Sequence, residues 1–295
     1  MPSRAVMADA AQQRFCLITG ASRGFGKALA ERFWQQGWSL VLTARTREAL
    51  RETVASLGSK DRQSLHTVAA DLARPEGIET IAQAVPSDIP RLDVLVNNAG
   101  IQGPVGPAWE NDGAEWMETV QINLLAPAGL CRRMVPWMIQ TGGGSIINLS
   151  GGGATGPREH FSAYASAKAG LVRFSETLAR EIKPHRIRVN CVAPGAMATA
   201  MLEKVVAMGE AAAGKKEYAT AVRALREGDA SMQRALDLCL FLASDASAGI
   251  TGKLISALWD NWERWPEHLK ELEASDAYTL RRIAGRDRGF SWGDA

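Results

Sequence analysis

Thr19-Gly20-Ala21-Ser22-Arg23-Gly24-Phe25-Gly26 follows the apolar run Phe15-Cys16-Leu17-Ile18 and precedes a helical stretch from about Lys27 to Gln36. Glycines at a strand-to-helix turn let the backbone bend sharply. They also let an anion approach the helix N-terminus, where unpaired N–H groups and the helix dipole hold negative charge. The spacing is GxxxGxG rather than the commoner GxGxxG. Three glycines in seven residues are weak alone, but their place after a first buried strand makes them a pyrophosphate cradle built from Gly20, Ser22, Arg23, Gly24, Phe25 and Gly26. The competing reading is a structural turn in a flavodoxin-like protein that binds no dinucleotide.

Outward from this turn, short apolar runs alternate with helical stretches. Strands are expected at 39–43, 65–70, 92–96, 145–149, 187–192 and 254–257. Helices are expected at 47–57, 76–85 and 164–182. A helix over 115–139 must be interrupted or kinked by Pro127 and Pro136. The Ala-rich segment 201–242 is expected to be helical with a break near Gly209 to Gly214. Continuous apolar strands between helices indicate an α/β fold, a doubly wound parallel sheet covered on both faces. Ligands of such sheets bind at the carboxyl ends of the strands.

The 295 residues read as a loose leader (1–13), one domain (14–257) and a C-terminal extension (258–295). The extension holds four of the nine tryptophans, Trp259, Trp262, Trp265 and Trp292. A net charge of +2 excludes a chain recognised by nucleic acid through charge alone. No apolar run is long enough to span a bilayer, so no membrane partner is expected. Cys16, Cys131, Cys191 and Cys239 are scattered, as in buried free thiols of a reducing, cytoplasmic compartment. The four histidines form no ligand-spaced pair, so no metal is expected.

The same chain carries Asn97-Asn98-Ala99-Gly100, then Asn123, then Tyr164-Ala165-Ser166-Ala167-Lys168, then Pro194-Gly195. With TGxxxGxG these motifs, in this order from about Arg14 to Ala257, resemble the short-chain dehydrogenase/reductase family, its single-domain branch. The resemblance implies a seven-stranded Rossmann-type sheet, a nicotinamide dinucleotide and hydride transfer to or from a small-molecule substrate. It also implies a homodimer or homotetramer. It places Asp71 and Leu72 beside the adenine, and Asn98, Ala99 and Gly100 near its ribose. It places Thr199 by the nicotinamide carboxamide, with Pro194 and Gly195 against the nicotinamide. It gives Asn123 a part in a water relay to Lys168.

An acid at the end of the second strand would bond the adenine ribose and repel a 2′-phosphate. That stretch reads Thr43-Ala44-Arg45-Thr46-Arg47, and Arg23 adds a nearby cation. A guanidinium is shaped for phosphate, so NADP is expected over NAD. Tyr164 and Lys168 share a helix face at i and i+4. An ammonium beside a phenol, together with the positive nicotinamide of the oxidised cofactor, favours the phenolate and lowers its pKa. Tyr164 can then exchange a proton with the substrate oxygen, with Lys168 on the nicotinamide ribose.

One position departs from the family. A serine is usual thirteen residues before the tyrosine, and this chain has Gly151 there. Ser150 is one residue early, and a one-residue shift on a strand reverses the face. A glycine-rich bulge could re-aim Ser150, which is the favoured replacement; Thr155, Ser162 or a backbone N–H could also donate. If the donor is lost, the chain could be a cofactor-binding protein with little turnover. An epimerase or dehydratase using bound cofactor is a further alternative. Met197, Met201 and Met208 could form an adaptable apolar wall at the substrate, or be ordinary packing methionines. The tryptophan-rich extension is expected to pack over the cleft or a neighbouring subunit.

Overall fold

The computed structural model describes residues 13–228 and 230–292. The leader therefore lies outside the described residues except for Gln13, whose amide donates to Ser39 Oγ at 2.6 Å. Seven strands form one sheet: β1 (Phe15–Thr19), β2 (Ser39–Ala44), β3 (Leu65–Ala69), β4 (Val94–Asn97), β5 (Gly144–Leu149), β6 (Ile187–Ala193) and β7 (Leu254–Ser256). Their order is β3-β2-β1-β4-β5-β6-β7, and every neighbouring pair is parallel. The order reverses between β1 and β4, which opens a crevice at their carboxyl ends.

Successive residues of a strand face opposite sides, so each strand supplies two cores. Cys16 and Ile18 join the layer of α1 (Gly24–Gln35) and α9 (Ala230–Ala243). Phe15 and Leu17 join the layer of α3 (Pro75–Asp88) and α5 (Ala126–Gln140). This two-sided burial is why β1, β2 and β4 are apolar without alternation. All four cysteines are buried and unpaired. Helix α2 (Arg47–Leu57) follows β2, its start capped by Thr46, which accepts from the Ala49 N–H.

Three expectations change in detail. Helix α1 begins at Gly24, so Gly24 and Gly26 lie inside its first turn. The helix expected over 115–139 is α4 (Gly113–Val120), a π turn (Gln121–Leu125) and α5. Pro127 has no N–H to give the Asn123 carbonyl four residues back, and the wide turn absorbs that missing bond. Pro136 lies inside α5 without ending it. Helix α6 (Ser162–Glu181) carries Tyr164 and Lys168.

Helices α7 (Ala200–Ala213) and α8 (Lys215–Glu227) form a lid over the end of α6. The expected break is present, with φ +80° at Gly209 inside α7 and Gly214 between the helices. The extension divides its tryptophans. Trp262 and Trp265 are buried in the α1/α9 core, whereas Trp259 is 85% exposed and Trp292 is also exposed. The extension therefore packs on this chain's own sheet domain through a 3-10 turn (Trp262–His268) and α10 (Leu269–Ala274). Lys253 anchors it, donating to the carbonyls of Leu272 at 2.7 Å, Ala277 at 2.9 Å and Ser275 at 3.4 Å. The Leu254 N–H donates to the Tyr278 carbonyl at 2.8 Å, which pairs the outer edge of β7. Among the described residues no helix is long and apolar enough to cross a membrane.

Candidate active site

The glycine turn is pressed against the β4 loop. Gly20 has φ +66°, and a Cβ there would lie 2.9 Å from Ala99 Cα. A Cβ on Gly26 would lie 2.2 Å from the Gly20 carbonyl oxygen and 2.4 Å from Asn98 Nδ2. Only glycine permits both approaches. Asn98 Nδ2 donates to the carbonyls of Thr19 at 2.8 Å and Gly20 at 3.2 Å. Thr19 Oγ1 accepts from the N–H groups of Asn98 and Ala99, both at 3.0 Å. The β1/β4 crevice is thus locked by its own motif residues.

The start of α1 has no side-chain cap and no acid in its first turn. Its first-turn N–H groups face a cradle without a Cβ at Gly24, where an added Cβ would lie 3.6 Å from Thr199 Cγ2. This arrangement fits a pyrophosphate. The Ala21 N–H donates to the Thr43 carbonyl at 2.9 Å, and the Thr53 hydroxyl to the Ala21 carbonyl at 3.0 Å. Those bonds bring the end of β2, and Arg45 just beyond it, alongside the turn. Arg23 and Arg45 are both exposed. Asp71 Oδ1 accepts from the Ala73 N–H at 3.1 Å, ordering the loop that carries Leu72. Gly195 is tight against Leu258, whose Cδ1 would lie 2.5 Å from a Cβ there. The extension's first residues thus touch the Pro194-Gly195 turn.

The catalytic candidates converge next to this crevice. Lys168 is 3% exposed, and its Nζ donates to the Leu149 carbonyl at 2.7 Å. It lies 5.7 Å from the Tyr164 ring centroid. Gly100 leaves room for it: a Cβ there would lie 3.8 Å from Lys168 Nζ and 2.9 Å from Asn123 Oδ1. The Asn123 side chain is fully engaged with the loop. Its Oδ1 accepts from the Ile101 N–H at 3.0 Å, and its Nδ2 donates to the Ile101 carbonyl at 2.8 Å.

Burial governs both titrations. It pulls the Lys168 ammonium down to about 8, opposed by the Cys191 thiol. It pushes the Tyr164 phenol above its ordinary value. The cation that opposes this rise is Arg158, which the motif reading missed. Desolvation outweighs the opposing guanidinium of Arg158, so the phenol is raised rather than lowered by the protein's own groups. Arg158 stacks on Phe161 with Cζ 3.9 Å from the ring centroid, and lies 5.4 Å from the Tyr164 centroid. No motif spacing points to this residue.

Gly151 explains how Tyr164 is seated. A Cβ at Gly151 would lie 2.4 Å from Tyr164 Oη. The place of the family's serine side chain is therefore taken by the phenol itself. The structure does not bring Ser150 to the tyrosine. Its hydroxyl is buried without a hydrogen-bond partner, consistent with a side chain on the opposite face from the Gly151 vacancy. Thr155 is exposed. Ser162 Oγ accepts from Trp116 Nε1 at 3.2 Å and Asn111 Nδ2 at 3.3 Å. Of the three methionines that could wall the site, Met201 packs in the cluster with Tyr164. Met197 packs in the α1/α9 core and Met208 is exposed. His160 has φ +66° and a buried Nδ1 without a partner, and it abuts Gly214 of the lid. A cavity of about 460 Å³ lined by Trp259, Arg264, Trp265 and Tyr278 belongs to the extension and lies apart from this chemistry. Among the described residues no group of three or more His, Cys, Asp or Glu could hold a metal ion.

Comparison with known proteins identifies the family. The family model described as short chain dehydrogenase matches residues 14–210. The chain is 35% identical over 242 residues to a 3-oxoacyl-[acyl-carrier-protein] reductase of Haemophilus influenzae, covering 82% of this chain and 95% of the relative. It is 34% identical over 203 residues to sulfoacetaldehyde reductase 2 of Chromohalobacter salexigens, covering 68% and 79%. The crystal structure of L-sorbose reductase from Gluconobacter frateurii, complexed with NADPH and L-sorbose, superposes with a TM-score of 0.73. It is 31% identical and covers 83% of this chain and 95% of that one. The glycine turn, the parallel sheet and the Tyr164–Lys168 pair thus belong to a member of the short-chain dehydrogenase/reductase family of oxidoreductases.

Proposed function

We propose that this protein is an NADP(H)-dependent oxidoreductase that interconverts an alcohol and a carbonyl, with Tyr164 as general acid/base. The observation that carries the proposal is the convergence of buried Lys168 and Tyr164 on the β1/β4 crevice, directly beside an anion cradle. A bound nicotinamide dinucleotide would supply or accept the hydride. The uncapped α1 terminus would hold its pyrophosphate, with Asn98, Ala99 and Gly100 along the adenosine side and Thr199, Pro194 and Gly195 at the nicotinamide end. The absence of an acid after β2, with exposed Arg45 and Arg23 beside the turn, supports the 2′-phosphate form. An NADPH complex of a relative of similar fold is consistent with it.

In the reductive direction Tyr164 Oη gives its proton to the carbonyl oxygen as the adjacent carbon is reduced. Lys168 orients the ribose and favours the phenolate left behind. Asn123 holds the Ile101 loop in place and would take part in a water relay to Lys168. We assign the proton to Tyr164 without a serine beside it. Nicotinamide absorbance with NADPH and NADH across a panel of carbonyls tests this reading. We expect NADPH to be preferred, and Tyr164→Phe to lose roughly 100- to 10,000-fold in turnover. Turnover retained by Tyr164→Phe, or a preference for NADH, overturns the corresponding part.

A second reading has one observation in its favour. The phenol stands in the place of the missing serine, so the site lacks the second donor to the substrate oxygen. A protein that binds NADPH but turns over no carbonyl in that panel is a cofactor-binding protein rather than an enzyme.

A further inference from the structure

The wall facing Tyr164 is apolar: Val105, Met201, Leu202, Val205 and Val206 pack there with Phe161. Into it projects one ion pair. Arg158 Nη2 donates to Glu217 Oε2 at 2.8 Å, with the two side chains 13% and 26% exposed. The partners come from the two sides of the cleft. Arg158 lies on the loop between β5 and α6, and Glu217 lies on lid helix α8. The guanidinium rests on the glycine run, since a Cβ on Gly152 would lie 3.6 Å from its Cδ and 3.8 Å from its Cζ. Those glycines are what let it reach over Phe161 toward Tyr164.

A cation this shielded needs an anion, because an unpaired buried charge is strongly unfavourable. Raising the lid to admit a substrate withdraws Glu217 and leaves Arg158 unpaired. A substrate that brings its own carboxylate removes that penalty, and the resident glutamate shows that a carboxylate fits. Resting on the oxidoreductase reading above, we propose that Arg158 is a specificity-determining residue that selects short carbonyl or alcohol substrates bearing a carboxylate, which takes the place of Glu217. The guanidinium is 5.4 Å from the Tyr164 ring, so the carboxylate and the reacting carbon belong to one short molecule. The same exchange releases the α8 side of the lid, coupling entry to recognition of charge.

The test compares 4-oxobutanoate with butanal, a pair of equal chain length, as kcat/KM with NADPH. The wild-type protein should prefer the acid, and Arg158→Gln should lower the acid-to-aldehyde ratio by about tenfold or more. Equal kcat/KM for the pair in the wild type, or an unchanged ratio in Arg158→Gln, overturns the proposal. Calorimetric titration of succinate into the NADPH-bound protein reads the same site without turnover. Succinate should bind wild type, bind several-fold more tightly to Glu217→Gln, and bind about tenfold or more weakly to Arg158→Gln. Absence of succinate binding, or no tightening in Glu217→Gln, overturns it even where Arg158→Gln fails to fold. Should neither aldehyde turn over while succinate behaves as expected, the Arg158 site stands and the oxidoreductase reading is decided by the carbonyl panel above.

Discussion

Returning the family's serine to position 151 is expected to harm this protein rather than repair it. A Cβ at Gly151 would fall 2.4 Å from Tyr164 Oη and 3.1 Å from its Cε1 and Cζ. Ordinary contact begins near 3.4 Å, so the phenol must retreat by roughly 1 Å to admit even the first carbon of a side chain. Tyr164 is buried among Phe161, Val205, Ala213 and Ala221, and the retreat pushes into that cluster. Overpacking of this kind costs about 1–3 kcal/mol, or roughly 2–12 °C in Tm for a domain of this size. Gly151→Ala and Gly151→Ser carry the same Cβ, so their difference isolates the hydroxyl. Thermal unfolding followed by circular dichroism should show both variants destabilised to a similar extent. NADPH oxidation by Gly151→Ser should not exceed the wild-type rate, since the hydroxyl arrives only by displacing the proton donor. A serine variant that is as stable as wild type and turns over faster would refute the argument. Tyr164 would then move freely, and the glycine would be a lost donor rather than a fitted space.

Three further outcomes follow from buried polar groups. Lys168 has a folded-state pKa of about 8, below its unfolded value near 10.4. Its charging penalty, about 3 kcal/mol, is full below pH 8 and is relieved as pH rises toward 10.4. The Tm of Lys168→Met minus that of wild type should therefore be more positive at pH 7 than at pH 10; a difference independent of pH would contradict the burial account. Lys253→Met leaves the carbonyls of Leu272, Ser275 and Ala277 without their donor. Limited trypsin digestion should then cut at Arg281 and Arg282 several-fold faster, and an unchanged rate would show that the extension is held elsewhere. Ser150→Ala removes a hydroxyl that bonds to nothing. Its unfolding free energy should stay within about 1 kcal/mol of wild type and its kcat should not change; a large fall in kcat would return Ser150 to the reacting centre.

Strand positions and motifs were legible along the chain because each depends on local chemistry. A buried parallel strand must be apolar on both faces, so β1, β2 and β5 could be read from Phe15–Thr19, Ser39–Ala44 and Gly144–Leu149. The glycine turn was legible because only glycine tolerates the approach of Ala99 to Gly20. Tyr164 and Lys168 share one helix, so four residues of spacing placed them together. Residues on different elements were not legible in this way. Arg158 and Glu217 are 59 residues apart and meet only because the lid folds over α6. The wide turn at Gln121–Leu125 follows from Pro127, but its outcome was open between a kink and a break.

The sequence alone settled the family and the parallel sheet, and helical spacing alone put Tyr164 and Lys168 on one face, because close-range sterics and helical geometry leave those patterns few alternatives. Tertiary packing settled what fills the space at Gly151, which cation stands beside Tyr164, and where the tryptophans go. Those outcomes depend on which surfaces meet across long stretches of chain. Trp262 and Trp265 became core while Trp259 stayed in solvent, though all three lie within seven residues. The physical reason is that burial and charge pairing are properties of the assembled cleft, and no single segment encodes its neighbour.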